Sequence, residues 1–116
     1  MYNITDHMRC IETCLSCYEI CIRTAMTACK DSNRSYLEGS YSILVSCAAS
    51  CQSCAKFLGD SAIFSSLCAI CAEMCDDCAD FCEKRSDMDL CAQACRDCAK
   101  KCRINMRKII LWQNRM

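Results

Sequence analysis

The chain has no proline and only two glycines, Gly39 and Gly59, in 116 residues. Tight turns and irregular loops draw on both residues, so their scarcity argues against a β architecture and for long, uninterrupted helices. Histidine is nearly absent: His7 stands alone. With no nucleophile–base motif and no glycine-rich phosphate loop, nothing points to an enzyme. Fourteen Lys and Arg balance fourteen Asp and Glu. A net charge of zero gives no general attraction to nucleic acid or to an acidic membrane. No run approaches the roughly 20 apolar residues of a membrane span. The opening MYNITDHMRC carries neither an apolar leader segment nor a twin arginine, so the expected location is cytoplasmic. The length suits a single domain, 1–116.

Cysteine, by contrast, is abundant: 17 of 116 residues, well above the roughly 10% that marks unusual chains. The densest stretch is CAICAEMCDDCADFC, with Cys68, Cys71, Cys75, Cys78 and Cys82 alternately three and four residues apart. At about 100° per residue all five fall within an arc of roughly 80° on a helix, the width of a core-facing stripe. The rhythm returns at Cys10, Cys14, Cys17 and Cys21, at Cys47, Cys51 and Cys54, and at Cys91, Cys95, Cys98 and Cys102. Cys29 lies about 80° off the first stripe by the same rule, with Ala28 in the stripe position.

Four amphipathic segments predict an all-α, antiparallel up-down-up-down four-helix bundle with a cysteine-lined core. The first helix starts near Asn3 or Thr5 and runs to about Lys30. The second, with a capping box at Ser35 and Glu38, reaches Leu58 and stops at Gly59. The third is capped by Asp60 or Ser61 and ends near Lys84 and Arg85. The fourth is capped by Ser86 or Asp87 and continues to about Trp112. Alanines beside the fourth stripe let helices approach, and Arg96, Asp97, Lys100 and Lys101 form a solvated face.

A disulfide scaffold normally accompanies secretion and an even cysteine count, and cysteines four apart on one helix are poorly placed to bridge. Cysteine as a small hydrophobe explains one or two positions, not four stripes. Metal binding remains. Residues i and i+4 stand about 5–6 Å apart at Cβ, so one ion fits between two thiolates. Soft thiolates select Cu(I), zinc or iron–sulfur clusters. Zinc wants closed tetrahedra, whereas stripes offer overlapping pairs. Cluster motifs normally carry a proline after the last cysteine. If each thiolate bridges two Cu(I) ions and each ion holds two thiolates, charge cancels one to one. The favoured reading is Cu(I), many ions per chain. The alternative is a zinc or iron–sulfur module in sensing or electron transfer, separable by colour and metal competition. His7 reads as an ordinary polar residue.

The segments CIETCLSCYEIC, CAASCQSC, CAICAEMCDDCADFC and CAQACRDCAKKC together resemble the cytosolic bacterial branch of the four-helix-bundle copper storage proteins, over about Met8 to Cys102. The resemblance implies Cu(I) held on the sixteen stripe cysteines, a homotetramer, and a copper chaperone as a partner. Two departures stand out. Thr24 and Ser40 occupy stripe positions where relatives often have cysteine, and the link Lys84-Arg85-Ser86-Asp87-Met88-Asp89 is often histidine-rich in relatives.

The two ends of the expected bundle differ. At one, Leu58, Phe64 and Ile109 close the stripes, with His7 and Asn105 at the rim. At the other lie Thr24, Ala28, Ser40, Cys82, Met88 and Cys91, with Asp87 and Asp89 nearby. A thioether is a soft Cu(I) ligand, so Met88 and Cys91 are the expected first contacts at the way in. The apolar run Ile109 to Trp112 is expected to plug the bundle or to pack in an oligomer rather than touch a membrane.

Overall fold

The computed structural model describes residues 4–28, 34–57, 61–85 and 87–114, with only the backbone described for 4, 28, 34–40, 61–62, 64 and 112–114. Within them the chain forms four helices: α1 (Ile4–Ala28), α2 (Arg34–Lys56), α3 (Ser61–Glu83) and α4 (Asp89–Asn114). Short links make sequential helices antiparallel neighbours. Backbones of α1 and α2, α2 and α3, and α3 and α4 pack together, and α4 returns to α1 to close the ring. Among the described residues the diagonal backbones do not approach, so side chains fill the centre.

Those side chains are overwhelmingly thiols. All sixteen stripe cysteines are buried, and the rest of the core is Ala25, Ala48, Ala72, Ala79, Ala92, Ala99, Leu44, Met88 and Ile109. Five of the alanines directly follow a cysteine: Ala48, Ala72, Ala79, Ala92 and Ala99. A thiol toward the axis and a methyl toward the neighbouring helix let the helices close without a large side chain between them. The outer polar face is tied across α3 and α4. Arg96 reaches Asp76 (3.1 Å), Asp80 (2.5 Å) and Glu83 (2.9 Å), and Arg103 reaches the other Asp76 oxygen (2.5 Å).

Several helix limits differ from expectation. The α2 helix begins at Arg34, so Ser35 lies inside its first turn and is not its cap; the side chains of Ser35 and Glu38 lie outside the described residues. The α4 helix begins at Asp89, and the Ala92 N–H donates to the Met88 carbonyl at 3.0 Å. Met88 therefore holds the cap position expected of Ser86 or Asp87, and the Asp89 carboxylate faces the positive end of the helix dipole. At the end of α3 the expected basic cap is present: Arg85 Nη1 donates to the Phe81 carbonyl (3.1 Å) and its guanidinium stacks on the Phe81 ring at 3.6 Å. Asn3, Cys29, Lys30, Leu58, Gly59, Asp60 and Ser86 lie outside the described residues, as do the side chains of Ala28, Ser40, Ser61, Phe64 and Trp112.

Candidate metal centre

The thiols form one continuous column. Starting from the Cys10 end, Cys10 meets Cys102 (3.9 Å), and Cys54 meets Cys68 (3.6 Å). Next, Cys14 meets Cys102 (3.7 Å) and Cys98 (3.8 Å). In the middle, Cys51 touches Cys71 (3.7 Å), Cys75 (3.7 Å) and Cys98 (3.9 Å). Cys47 touches Cys75 (3.7 Å) and, across the diagonal, Cys95 (3.8 Å). Further up, Cys17 touches Cys21 (3.9 Å) and Cys95 (3.8 Å), and Cys21 touches Cys91 (3.7 Å). Cys78 joins Cys21, Cys91 and Cys95 within 4.8 Å, and Cys82 lies beyond them beside Cys78 and Cys91.

These contacts assemble into tetrads with all sulfurs within 4.8 Å: Cys14/Cys71/Cys98/Cys102, Cys51/Cys71/Cys75/Cys98, Cys17/Cys47/Cys51/Cys75, Cys17/Cys21/Cys47/Cys95 and Cys21/Cys78/Cys91/Cys95. Neighbouring tetrads share members, so a thiolate in one is also a ligand of the next. A sulfur that bridges two ions uses such sharing; an isolated four-ligand site has no use for it. The core's charge argues in the same direction. Among the described residues the buried polar groups are His7 and Asn105, and no lysine or arginine enters the core. Thiolates there must be neutralised by the metal itself.

Without bound metal, protons divide unevenly along the column. Hydrogen bonds from Cys21 and its neighbours hold Cys17 toward the thiolate, and those from Cys102 and its neighbours do the same for Cys71. Cys14 and Cys95 are pushed up, by their bonds to Cys10 and Cys17 first and by burial as well. At Cys102 the Cys10 thiol opposes ionisation, but bonds from Cys14, Cys54 and Cys68 bring it down to about 7.

A family model for copper storage proteins matches residues 3–107. The chain belongs to the copper storage protein family. A crystal structure of the Nitrosospira multiformis protein Nmul_A1745 superposes with a TM-score of 0.81 at 34% identity, covering 90% of this chain and 98% of that one. A comparison with curated proteins returns no match. The family's role is copper storage, a binding role rather than a catalysed reaction, and a column of sixteen buried thiols fits it.

All sixteen stripe cysteines named from the sequence come together in this copper storage core, and Met88 is buried at its Cys91 end. The upper part of α1 departs from expectation: Ala25 is the buried position, while half-buried Thr24 turns its hydroxyl back to the Ile20 carbonyl at 2.7 Å. Leu44 fills the corresponding place on α2. At the other end His7 and Asn105 are buried, as Ile109 is, rather than lying at a rim. Their spacing carried the signal: His7 is three residues before Cys10 and Asn105 three after Cys102, both in stripe register. Of the apolar tail, Ile109 is buried while Ile110 and Leu111 are exposed. No helix among the described residues is long and apolar enough to cross a membrane.

Proposed function

We propose that this protein stores Cu(I) in the cytoplasm, many ions per chain, on Cys10, Cys14, Cys17, Cys21, Cys47, Cys51, Cys54, Cys68, Cys71, Cys75, Cys78, Cys82, Cys91, Cys95, Cys98 and Cys102, with Met88 as an auxiliary thioether at the Cys91 end. It works as a homo-oligomer, a tetramer, loaded and unloaded by ligand exchange with a copper chaperone. The observation that carries this reading is the sharing of sulfurs between successive tetrads in a core that, among the described residues, buries no lysine or arginine. Four thiolates around one zinc leave two uncompensated negative charges, which a low-dielectric core penalises. One Cu(I) per thiolate leaves none, and the monovalent ion accepts the two- and three-sulfur environments the column offers.

The test is titration of fully reduced protein with Cu(I) against a coloured chelator, with zinc as competitor. The expected result is a colourless protein that binds roughly one Cu(I) per core thiol and excludes zinc from most sites. Saturation at about one or two ions refutes storage, and a brown protein would place it with cluster carriers.

A further inference from the structure

The column is not sealed equally along its length. The α3–α4 seam is bolted by Arg96 and Arg103 onto Asp76, Asp80 and Glu83. The α1–α4 seam has one cross-seam ion pair among the described residues, Lys108 to Asp6 at 2.6 Å, near its His7 end. Level with the middle of the column that seam opens into a groove of about 310 Å³. The small side chains of Thr13, Ser16 and Ala94 line it together with Ile20, Leu90 and Gln93, the exposed carboxylates of Glu12 and Asp97 stand on its rim, and Cys17 is the thiol in its lining. Asp97 is held by Gln93 of its own helix (2.9 Å) and not by α1.

Cys17 is also a branch point. It belongs to the tetrad with Cys21, Cys47 and Cys95 and to the one with Cys47, Cys51 and Cys75. A metal received there can pass in one step to Cys21 and Cys95, toward one end, or to Cys51 and Cys75, toward the other. An end-fed column, by contrast, fills in series, because an ion resting at the mouth obstructs the next.

We propose that the α1–α4 groove is a lateral exchange site, through which Cu(I) carried by a small thiolate donor is handed to Cys17 at the middle of the column. The Cu–S bond to Cys17 forms as a Cu–S bond to the donor breaks. The proton that Cys17 shares with Cys21 in the metal-free column passes to the departing donor thiolate, and copper remains Cu(I) throughout. Thr13, Ser16 and Ala94 leave room for the donor sulfur beside Cys17. This rests on the storage reading, whose own test is capacity; the lateral site is tested by position and rate.

Reduced, metal-free protein is treated with limiting iodoacetamide and the labelled cysteines are located by mass spectrometry. Cys17 is expected to label about ten-fold faster than Cys51 and Cys75, which share a tetrad with it but do not line the groove. Filling the groove with Ala94→Leu or Thr13→Leu should slow Cu(I) transfer from a glutathione complex by about ten-fold, with final capacity and helicity unchanged. Equal labelling of Cys17 and Cys51 overturns the proposal, as it would if another copy covered the groove. So do unchanged transfer rates in a folded Ala94→Leu protein that still takes up its full copper load. Loss of capacity in the wild-type protein would instead count against storage itself.

Discussion

A cysteine is small, apolar enough to bury, and able to become an anion only when something compensates it. Every core position that could otherwise hold a leucine therefore trades hydrophobic bulk for a ligand. His7 is the residue where burial and ionisation conflict without metal. Only 3% of it is exposed, and burial holds its imidazole below the ordinary 6.5 against a smaller upward pull from Cys10. As pH falls below about 6.5 the unfolded chain takes up a proton that folded His7 resists, so this contribution to stability is full above that pH and lost below it. Denaturant unfolding of the reduced, metal-free protein at pH 7.5 and 5.5 should show wild type losing up to about 1 kcal/mol more than His7→Leu on acidification. Equal losses would mean that His7 is hydrated or protonated in the fold. The set of buried thiols was legible at this scale because cysteine in phase with a helix has few other uses. His7 was not, because one polar residue near a helix start normally faces water, and only its register with Cys10 distinguished it.

At the scale of the helices, the alternating three- and four-residue steps make a heptad-like seam, the pattern of helices crossing at a shallow angle. The cysteine–alanine doublets Cys71-Ala72, Cys78-Ala79, Cys91-Ala92 and Cys98-Ala99 repeat at seven residues on α3 and α4, so these two helices meet through methyl groups. Period and helix count could be read from the residues alone. Cap positions were less legible: Met88 lacks the side-chain oxygen that marks a cap and reaches its place because the Cys82 carbonyl accepts from the Arg85 N–H (3.0 Å) and winds the link tightly. The polar bolt was also hidden, since Arg96 was expected to be one more solvated charge. Its three carboxylate partners sit four and three residues apart on α3, on the ridge facing it. Exposed pairs contribute about 0.2–1 kcal/mol each and weaken with salt. Arg96→Ala should lower the melting temperature by about 4 °C at low ionic strength, and by much less in roughly 1 M salt, where the Debye length is about 3 Å. A salt-independent loss would assign the effect to packing of the arginine stem on α3.

For the molecule as a whole, the two ends of the column are chemically unlike. Where α1 begins and α4 nears its end, Ile109, Asn105 and His7 are buried beyond the last thiols, closing the column with an aliphatic group, an amide and an imidazole. At the opposite end sulfur runs to the edge: Cys82 and Cys91 are buried, and the α3–α4 link that covers them carries Met88 with exposed Asp87 and Asp89. Neither Ala25 nor half-buried Thr24 presents a bulky aliphatic stopper there, and the large fully buried side chain described on α2 is Leu44. A cation approaching this end meets two carboxylates, then a thioether that binds Cu(I) weakly enough to release it, then the Cys91 thiolate. Replacing all three, Met88→Leu with Asp87→Asn and Asp89→Asn, should slow only the share of filling that enters by this end and not through the α1–α4 groove, and leave final capacity unchanged. Asp89 also faces the α4 dipole, so the variant is expected to lose roughly 0.3–1 kcal/mol of stability, a cost measurable separately by unfolding. Stopped-flow uptake from a small Cu(I) complex distinguishes the ends. If the triple variant loads at the wild-type rate while Ile109→Ala accelerates loading in a protein of equal helicity, copper passes through the His7 end and the polarity of the column is the reverse.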